Sequence, residues 1–184
     1  MKKILLFANA LLLFIIFDIS VYADTISATV SKISDGDTIW VISQGKKIKL
    51  RLLGIDTPEK YPSKKMSKDI RRCHTSYEKM KRLGLLATKH AETMLWVGEK
   101  VTVKTSGKGY YHRTLAFIIL PDGSNYNERM VSDGYACVYK YHGHKSREIS
   151  WNEFFKLERL LERAKKEKKG LWRKYYKIMD CLCE

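Results

Sequence analysis

Residues 28–53, ATVSKISDGDTIWVISQGKKIKLRLL, decide the fold. The stretch contains three short β-prone runs, and Asp35-Gly36 and Gln44-Gly45 separate them. Both separators favour tight turns, because glycine tolerates the positive φ angles that such turns require. We therefore predict a meander of three strands, over residues 28–33, 38–42 and 46–53.

The third run shows which face of the meander is buried. Apolar and basic side chains alternate along it, and successive residues of a strand point to opposite faces of a sheet. One face therefore belongs to the core and the other is basic. The apolar positions are Ile48, Leu50 and Leu52, and the basic positions are Lys47, Lys49 and Arg51.

The pattern changes after the meander. Residues 60–82 have no clear periodicity and are rich in Lys and Arg, so we expect a long exposed loop. Apolar residues then recur at spacings of three and four over 83–97, which predicts a helix that ends at Gly98. Further strands are predicted at 100–105, 113–120 and 135–139, and a short helix at 127–133.

The last predicted helix has the clearest local signals. Ser150 is a good N-cap, Glu153 completes a capping box, and Gly170 follows the end. Its expected buried stripe is Trp151, Phe154, Phe155, Leu157, Leu160, Leu161 and Ala164. The first five predicted strands, interrupted by one helix and followed by other helices, predict an α+β domain, a small β-barrel with helices packed on one side.

The composition indicates the kind of partner. The 184 residues include 35 Lys and Arg against 20 Asp and Glu, a formal net charge of +15. With 45% hydrophobic and 11% aromatic residues, the chain is too apolar for a disordered polybasic tail. A folded domain with this excess of positive charge is expected to bind a polyanion.

The N-terminal residues indicate export. A basic start precedes an apolar run over 4–17, which is shorter than the about 20 residues that a membrane-spanning helix needs. A small-residue cleavage site ends at Ala23. We therefore expect a secreted or periplasmic protein, and the alternative is an uncleaved N-terminal anchor. The predicted segments are a signal peptide at 1–23, a domain at 24–174 and a C-terminal tail at 175–184.

All four cysteines lie after the predicted cleavage site, and an oxidising compartment would let them form disulfides. Cys181 and Cys183 are too close to bond easily with each other, which favours pairing of each with Cys73 or Cys137. A metal site made by Cys181 and Cys183 with His142 and His144 is an alternative, although neither spacing is a usual one.

Carboxylates follow two of the predicted strands. Asp37, Asp56 and Glu59 are expected at neighbouring strand ends, and oxygen-only ligands suit a hard cation such as Ca²⁺, Mg²⁺ or Mn²⁺. Simple alternation would place Arg51 and Asp56 on opposite faces, so we expect a bulge or bend at Gly54 that aims both into one groove. Pro58 pushes Thr57 to an extended conformation, which leaves its carbonyl free as a ligand.

Two arginines complete a phosphodiester site. Arg51 and Arg113 can make bidentate contacts with a phosphate, and Glu59 can serve as a base that activates water. Taken singly, each motif has an ordinary explanation, since Asp35-Gly36 alone is most often a hairpin turn. Their joint occurrence in a basic, exported domain favours the chemical interpretation.

These residues resemble the staphylococcal nuclease-like, or thermonuclease, family over about residues 28–172. The most specific segments are Asp35-Gly36-Asp37-Thr38, Arg51-Leu52-Leu53-Gly54-Ile55-Asp56-Thr57-Pro58-Glu59 and Arg113-Thr114-Leu115-Ala116. The resemblance implies a five-stranded OB-type barrel with about three helices. It also implies calcium-dependent hydrolysis of DNA and RNA to products with 3′-phosphates.

The resemblance also implies roles for individual residues. Asp37, Asp56 and the Thr57 carbonyl would hold Ca²⁺. Glu59 would be the general base, and Arg51 and Arg113 would bind the scissile phosphate. Tyr111 looks like a residue that contacts a terminal phosphate, with Tyr139 or Tyr141 stacking under a base. The chain departs from the family at Tyr111-His112-Arg113, where the family often has Tyr-Gly-Arg.

The leading hypothesis is thus an exported nuclease of low sequence specificity, monomeric and without a stable membrane partner after signal cleavage. A non-catalytic OB-type nucleic-acid-binding protein is the alternative, and retention of all three carboxylates and both arginines argues against it. A cell-surface or anionic-membrane binder is a third possibility, but it gives no reason for the acidic cluster. A metal-dependence assay separates enzyme from binder.

Overall fold

The computed structural model of the chain describes residues 24–108, 113–141, 144–146 and 148–184. The predicted signal peptide, Tyr111 and His112 lie outside these residues. The first three strands pair antiparallel in sequence order, and Gln44 and Gly45 form the second turn at positive φ. They confirm the predicted meander. Their bounds are β1 (Asp24–Ile33), β2 (Thr38–Ser43) and β3 (Lys46–Leu52).

Two further strands close the meander into a barrel. β5 (Lys100–Lys108) pairs antiparallel with β1 and with β6 (Thr114–Ile119), and β6 pairs parallel with β3. The order around the closed barrel is β1-β2-β3-β6-β5. This confirms the predicted five-stranded OB-type barrel in an α+β fold. Its interior is filled by fully buried apolar side chains, among them Ile39, Leu50, Val103 and Ile118.

Gly54 redirects the chain at the end of β3. Its φ of 70° lies in the left-handed region, and a Cβ there would lie 2.6 Å from Cδ1 of Leu157. The next strand, β4 (Ile55–Asp56), leaves the barrel and pairs with β7 (Cys137–Val138). The bend that we expected at Gly54 is therefore present, and a larger residue would meet both backbone strain and a steric clash.

Residues 60–82 are not the exposed loop that we expected. They contain α1 (Lys64–Arg72) and the start of α2 (Tyr77–Met94), which begins and ends earlier than the predicted helix. The side chains of Ser63 and Ser76 cap the two helices by accepting hydrogen bonds from backbone N–H groups. The buried residues of α1 are only Met66 and Asp69, so the sequence of this helix lacks an apolar stripe.

The described residues hold five helices instead of about three. The other three are α3 (Tyr126–Ser132), α4 (Trp151–Lys166) and α5 (Trp172–Cys183). The predicted strand at 135–139 is reduced to β7, and a small hairpin follows, made of β8 (Lys140–Tyr141) and β9 (His144–Lys145). No helix in this part of the chain has the length and apolar content needed to cross a bilayer.

The start of α4 is partly as predicted. The backbone N–H of Ser150 donates to the Glu153 carboxylate at 2.7 Å, and the Glu153 N–H donates to the Ser150 hydroxyl at 3.2 Å, which confirms the capping box. The stripe is wrong at Trp151 and Phe155, which are 59% and 52% exposed. Their rings stack on each other instead, while Leu157 and residues further along the helix face the core.

Two disulfides fix the end of the chain, which is helix α5 over much of the predicted tail. Cys181 bonds to Cys73 at the end of α1, and Cys183 bonds to Cys137 in β7. Sequence reasoning left this pairing open. Because all four cysteines form disulfides, the alternative metal site with thiolate ligands is excluded.

Candidate active site

A groove of about 550 Å³ lies beside β2, β3 and β4, and it gathers residues that are far apart in sequence. Six of the predicted site residues line it: Asp37, Arg51, Asp56, Glu59, Arg113 and Tyr139. Tyr111 and the side chain of Tyr141 lie outside the described part of the chain. A larger depression of about 1060 Å³ runs along the exposed face of α4, and none of these six residues lines it.

Arg51 lies between two carboxylates. Its guanidinium forms an ion pair with Asp37, donates a 2.9 Å hydrogen bond to Asp56 and donates another to the Ile55 carbonyl at 3.1 Å. Burial alone would lower the pKa of Arg51, but the charges of Asp37 and Asp56 raise it above its ordinary value. The guanidinium also lies over the Tyr139 ring, 5.8 Å from the centroid. Arg51 is therefore permanently charged and held in one orientation.

Arg113 lies directly before β6. The first residue of that strand, Thr114, pairs with Leu50 of β3, so Arg113 and Arg51 come from neighbouring strands. Both arginines line the same groove. The barrel thus brings two arginines to one groove, as a site for a bound phosphate requires.

Asp37 is buried directly before β2 and accepts several hydrogen bonds. Its Oδ2 accepts the backbone N–H of Thr57 at 2.8 Å and the Thr57 hydroxyl at 3.1 Å, and its Oδ1 accepts the Thr38 hydroxyl at 3.1 Å. Burial raises the pKa of Asp37, but the Arg51 guanidinium and the Thr57 N–H outweigh it and lower the pKa to about 2. Asp37 is therefore ionised at neutral pH, and it ties Thr57 to Arg51.

Asp35 is a groove residue that sequence reasoning missed. Asp35-Gly36-Asp37-Thr38 was one of the specific segments, but Asp35 itself was not among the predicted site residues. Asp35 lines the groove, and its side chain accepts the Asp37 backbone N–H at 3.1 Å. Burial and then the charge of Asp37 raise the pKa of Asp35 to about 7. The Asp-x-Asp spacing in a tight turn was the available signal, because such a turn brings both side chains to one place.

Lys65 is the second residue that sequence reasoning missed. Its ammonium lies 3.0 Å from Asp56 Oδ2, 3.1 Å from Asp69 Oδ2 and 3.6 Å from Glu59 Oε1. Burial raises the pKa of Glu59, and the charge of Lys65 opposes that rise only in part. Lys65 lies on α1. Because we predicted a loop for this segment, we did not expect Lys65 to contact the carboxylates. The Lys65 and Asp69 pair at helical spacing was the available signal.

Two buried residues of α3 position the groove from beneath. The Asn127 amide donates to the carbonyls of Leu53 at 2.9 Å and Ala116 at 3.3 Å, which ties the end of β3 to β6. The Tyr126 hydroxyl donates to the Gly36 carbonyl at 2.9 Å, in the turn before Asp37. Both side chains are fully buried, so they fix the two segments that carry Asp37 and the Gly54 bend.

Comparison with known proteins identifies the family. A family model for staphylococcal nuclease homologues matches residues 49–174. An uncharacterized endonuclease of Escherichia coli O157:H7 is 32% identical over 161 residues, which cover 88% of this chain and 86% of that protein. The chain belongs to the staphylococcal nuclease homologue family.

Other relatives match over different shares of their length. Endonuclease YhcR of Bacillus subtilis (strain 168) is 32% identical over 154 residues, which cover 82% of this chain but 12% of that protein. An uncharacterized endonuclease of Haemophilus influenzae is 36% identical over 121 residues, covering 62% of this chain and 53% of that protein. This staphylococcal nuclease homologue thus spans most of the Escherichia coli relative and a small part of YhcR.

The family match covers part of the groove. It includes Arg51, Asp56, Glu59 and Arg113, whereas Asp37 lies before it and is joined to it by the ion pair with Arg51. The last residues of α5 lie beyond the match. The two disulfides therefore tie this staphylococcal nuclease homologue to a segment outside the matched region.

The groove of this family member is rich in carboxylate side chains. The described lining residues include five carboxylates against four cationic side chains. No group of three His, Cys, Asp or Glu side chains in the described ranges is arranged to hold a metal ion. The ligand set implied by the resemblance has two carboxylates, Asp37 and Asp56, and a backbone oxygen of Thr57. These oxygen donors fit Ca²⁺, although both carboxylates already bind cationic side chains.

Proposed function

We propose that the chain is an exported, calcium-dependent nuclease that hydrolyses DNA and RNA with low sequence specificity and leaves 3′-phosphates. The observation that carries the proposal is the position of Arg51, fixed between Asp37 and Asp56 in the groove that also contains Glu59 and Arg113. The chain that forms this groove belongs to a family, and relatives of the chain are named endonucleases. The charge of +15 supports a polyanionic substrate.

The groove residues divide the chemistry among them. Arg51 and Arg113 bind the non-bridging oxygens of the scissile phosphate and stabilise the charge that develops in the transition state. Glu59 accepts a proton from the attacking water, and its raised pKa brings its basicity closer to that needed near neutral pH. Water forms the new bond to phosphorus and the bond to the 5′ oxygen breaks, which leaves a 3′-phosphate and a 5′-hydroxyl. Ca²⁺ held by Asp37, Asp56 and the Thr57 carbonyl would supply further positive charge against the phosphate.

Low sequence specificity follows from the kind of contact. Phosphate contacts by arginines and lysines carry no information about the base. Tyr139 lines the groove, and together with Tyr111 and Tyr141 it is our candidate for contacts with a base or a terminal phosphate. Stacking on an aromatic ring tolerates every base, so these tyrosines would add affinity without selecting a sequence.

Export and a monomeric state complete the proposal. The signal-peptide prediction for residues 1–23 and the two disulfides both suit an oxidising compartment, the periplasm or the medium. We expect the mature chain to act as a monomer and to keep no stable membrane partner.

The deciding experiment incubates the purified mature chain with plasmid DNA and with RNA, with Ca²⁺ or with excess chelator. We expect cleavage of both substrates with Ca²⁺, 3′-phosphate ends and no cleavage with chelator. Full activity in chelator would refute the calcium dependence. Tight binding of both nucleic acids without cleavage under any metal condition would favour the non-catalytic binding protein instead.

A further inference from the structure

Helix α1 brings a cation into the carboxylate cluster of the groove. The Lys65 ammonium contacts Asp56, Glu59 and Asp69, the first two from the segment after β3 and the third from α1 itself. Among the described residues, Asp56 has both carboxylate oxygens in use, because Oδ1 accepts from Arg51 and Oδ2 faces Lys65. An additional cation that binds Asp56 must therefore either share an oxygen with one of these two side chains, where the two positive charges repel each other, or displace that side chain.

Of the two cationic side chains that contact Asp56, Arg51 is the one that keeps its contact. Its side chain is 15% exposed, and it is also bound to Asp37 and to the Ile55 carbonyl. The Lys65 side chain is 40% exposed and ends a flexible four-carbon stem. Because Lys65 is the more exposed and the more flexible of the two side chains, it yields Asp56 more easily than Arg51 does.

The helix that carries Lys65 is anchored at its C-terminal end. Asp69 is buried, and its second oxygen lies 3.5 Å from Arg72. Arg72 donates a 2.6 Å hydrogen bond to the Cys181 carbonyl, next to the Cys73–Cys181 disulfide. A Lys65 side chain that leaves Asp56 therefore keeps Asp69 as a neighbour and remains at the groove.

We propose that Lys65 is the built-in cation of the metal-free groove, and that a divalent cation binds Asp56 by displacing it. The inference rests on the proposed function, because it assigns Asp56 to the metal. Lys65 holds Asp56 and Glu59 together in the absence of metal and sets the affinity for the incoming ion. Its role is to position the carboxylates and to compete for one of them.

The test measures Ca²⁺ binding without substrate, by isothermal titration calorimetry on the oxidised mature chain. Lys65→Met is compared with Lys64→Met, which removes the same charge from an exposed position one residue away on α1. We expect Lys65→Met to bind Ca²⁺ at least about tenfold more tightly than the wild type, because a competing charge next to the ligand is gone. Lys64→Met should bind as the wild type does.

A second measurement uses the unaltered chain in case Lys65→Met does not fold. The ¹⁵N-labelled lysine ammonium signals are followed by NMR as Ca²⁺ is added, and that of Lys65 should shift while that of Lys64 should not. Equal Ca²⁺ affinity of the wild type and Lys65→Met, or an unmoved Lys65 signal at Ca²⁺ saturation, would overturn the inference and leave the nuclease proposal intact.

Parallel cleavage assays separate the two proposals. Tighter Ca²⁺ binding by Lys65→Met together with no cleavage by the wild type would support the role of Lys65 and refute the nuclease. Absence of Ca²⁺ binding by the wild type and by Lys65→Met would overturn both the calcium assignment and the inference.

Discussion

Arg51 holds together two carboxylates that the barrel alone would leave apart. Asp37 precedes β2, and Asp56 belongs to β4, which has already left the barrel. The planar guanidinium carries N–H donors on three nitrogens, and Arg51 uses Nη1 for Asp37 and Nη2 for Asp56. A single ammonium has no such fork, so lysine cannot reproduce this geometry.

We therefore expect Arg51→Lys to lower kcat by about 10² to 10³, although the positive charge is kept. Phosphate binding and the orientation of both carboxylates are lost together. Steady-state cleavage of a defined oligonucleotide measures the effect. Arg159→Lys, at an exposed position of α4, is the control and should cleave at the wild-type rate. Wild-type turnover by Arg51→Lys would contradict the proposed role of the two guanidinium nitrogens.

Helix α2 reaches the groove through a glycine. Gly84 faces the backbone of Glu59 and Lys60, and a Cβ at this position would lie 2.6 Å from Glu59 C and from Lys60 N. The contact is with backbone, which cannot swing away as a long side chain can. The close approach of α2 therefore fixes the segment that carries the proposed base.

Gly84→Ala should destabilise the fold by about 1–3 kcal/mol and also lower cleavage, because the added methyl group displaces the Glu59 segment. Alanine is the better helix former, so helix propensity alone predicts the opposite change in stability. Urea unfolding and kcat are measured side by side. Leu85→Ala, on the exposed face of α2, is the control. A Gly84→Ala protein that is more stable than the wild type and fully active would refute the close contact between Gly84 and the backbone of Glu59 and Lys60.

A side-chain pair connects α2 with the end of α3. His90 Nε2 lies 2.9 Å from Asp133 Oδ2, and the His90 ring stacks on Tyr135 with centroids 4.0 Å apart. The hydrogen bond to His90 holds the pKa of Asp133 below its ordinary value. A lowered carboxyl pKa stabilises the fold above the unfolded pKa, and this contribution is lost as the pH falls towards the folded pKa.

His90→Phe keeps an aromatic ring against Tyr135 but removes the hydrogen bond. We expect the stability difference between wild type and His90→Phe to be larger at about pH 5 than at a pH below the lowered pKa of Asp133, where this carboxyl group becomes protonated. Urea unfolding at both pH values measures it. A difference that is the same at both pH values would show that the pKa of Asp133 does not depend on His90.

The elements differ in how far sequence predicts them. The meander was predictable because strand alternation and Asp-Gly or Gln-Gly turns are local signals, and so was the capping box of α4. Helix α1 was not, since Met66 is its only buried apolar residue and only its Ser63 cap marks it. The exposure of Trp151 was also unpredictable, because periodicity shows an apolar stripe without showing what packs against it.

The same distinction applies to the groove. The predicted residues Arg51, Asp56 and Glu59 come from one continuous stretch, and the Gly54 bend that joins them was readable from that stretch. The contacts of Lys65 depend on the packing of α1 against a distant part of the chain, so no local pattern contains them. The pKa of Asp35 depends on burial in the same way.

At the scale of the whole molecule, two disulfides join α5 to two elements that adjoin groove residues. Cys73 follows α1, which carries Lys65, and Cys137 pairs in register with Asp56. The first bridge spans 108 residues and the second 46. Closing loops of this size restricts the unfolded chain, so each bridge is expected to stabilise the fold.

A double Cys73→Ser, Cys181→Ser variant should therefore lose about 2–4 kcal/mol of stability. Urea unfolding under oxidising conditions measures the loss. In excess reductant, the free energy of unfolding of the wild type should decrease by at least the same amount. On a non-reducing gel the variant should migrate more slowly than the wild type after denaturation. Unchanged stability and migration would mean that this bridge does not form in solution.

The positions of the four cysteines determine which disulfides can form while the chain is being synthesised. A chain made from its N terminus presents Cys73 and Cys137 long before Cys181 and Cys183 exist. A bond formed early between the first two is foreign to the finished fold and must be undone by thiol–disulfide exchange. Products of interrupted translation that stop short of Cys181 can close neither bridge. Incomplete copies therefore lack both covalent links between the C-terminal helix and the elements that carry Lys65 and Asp56.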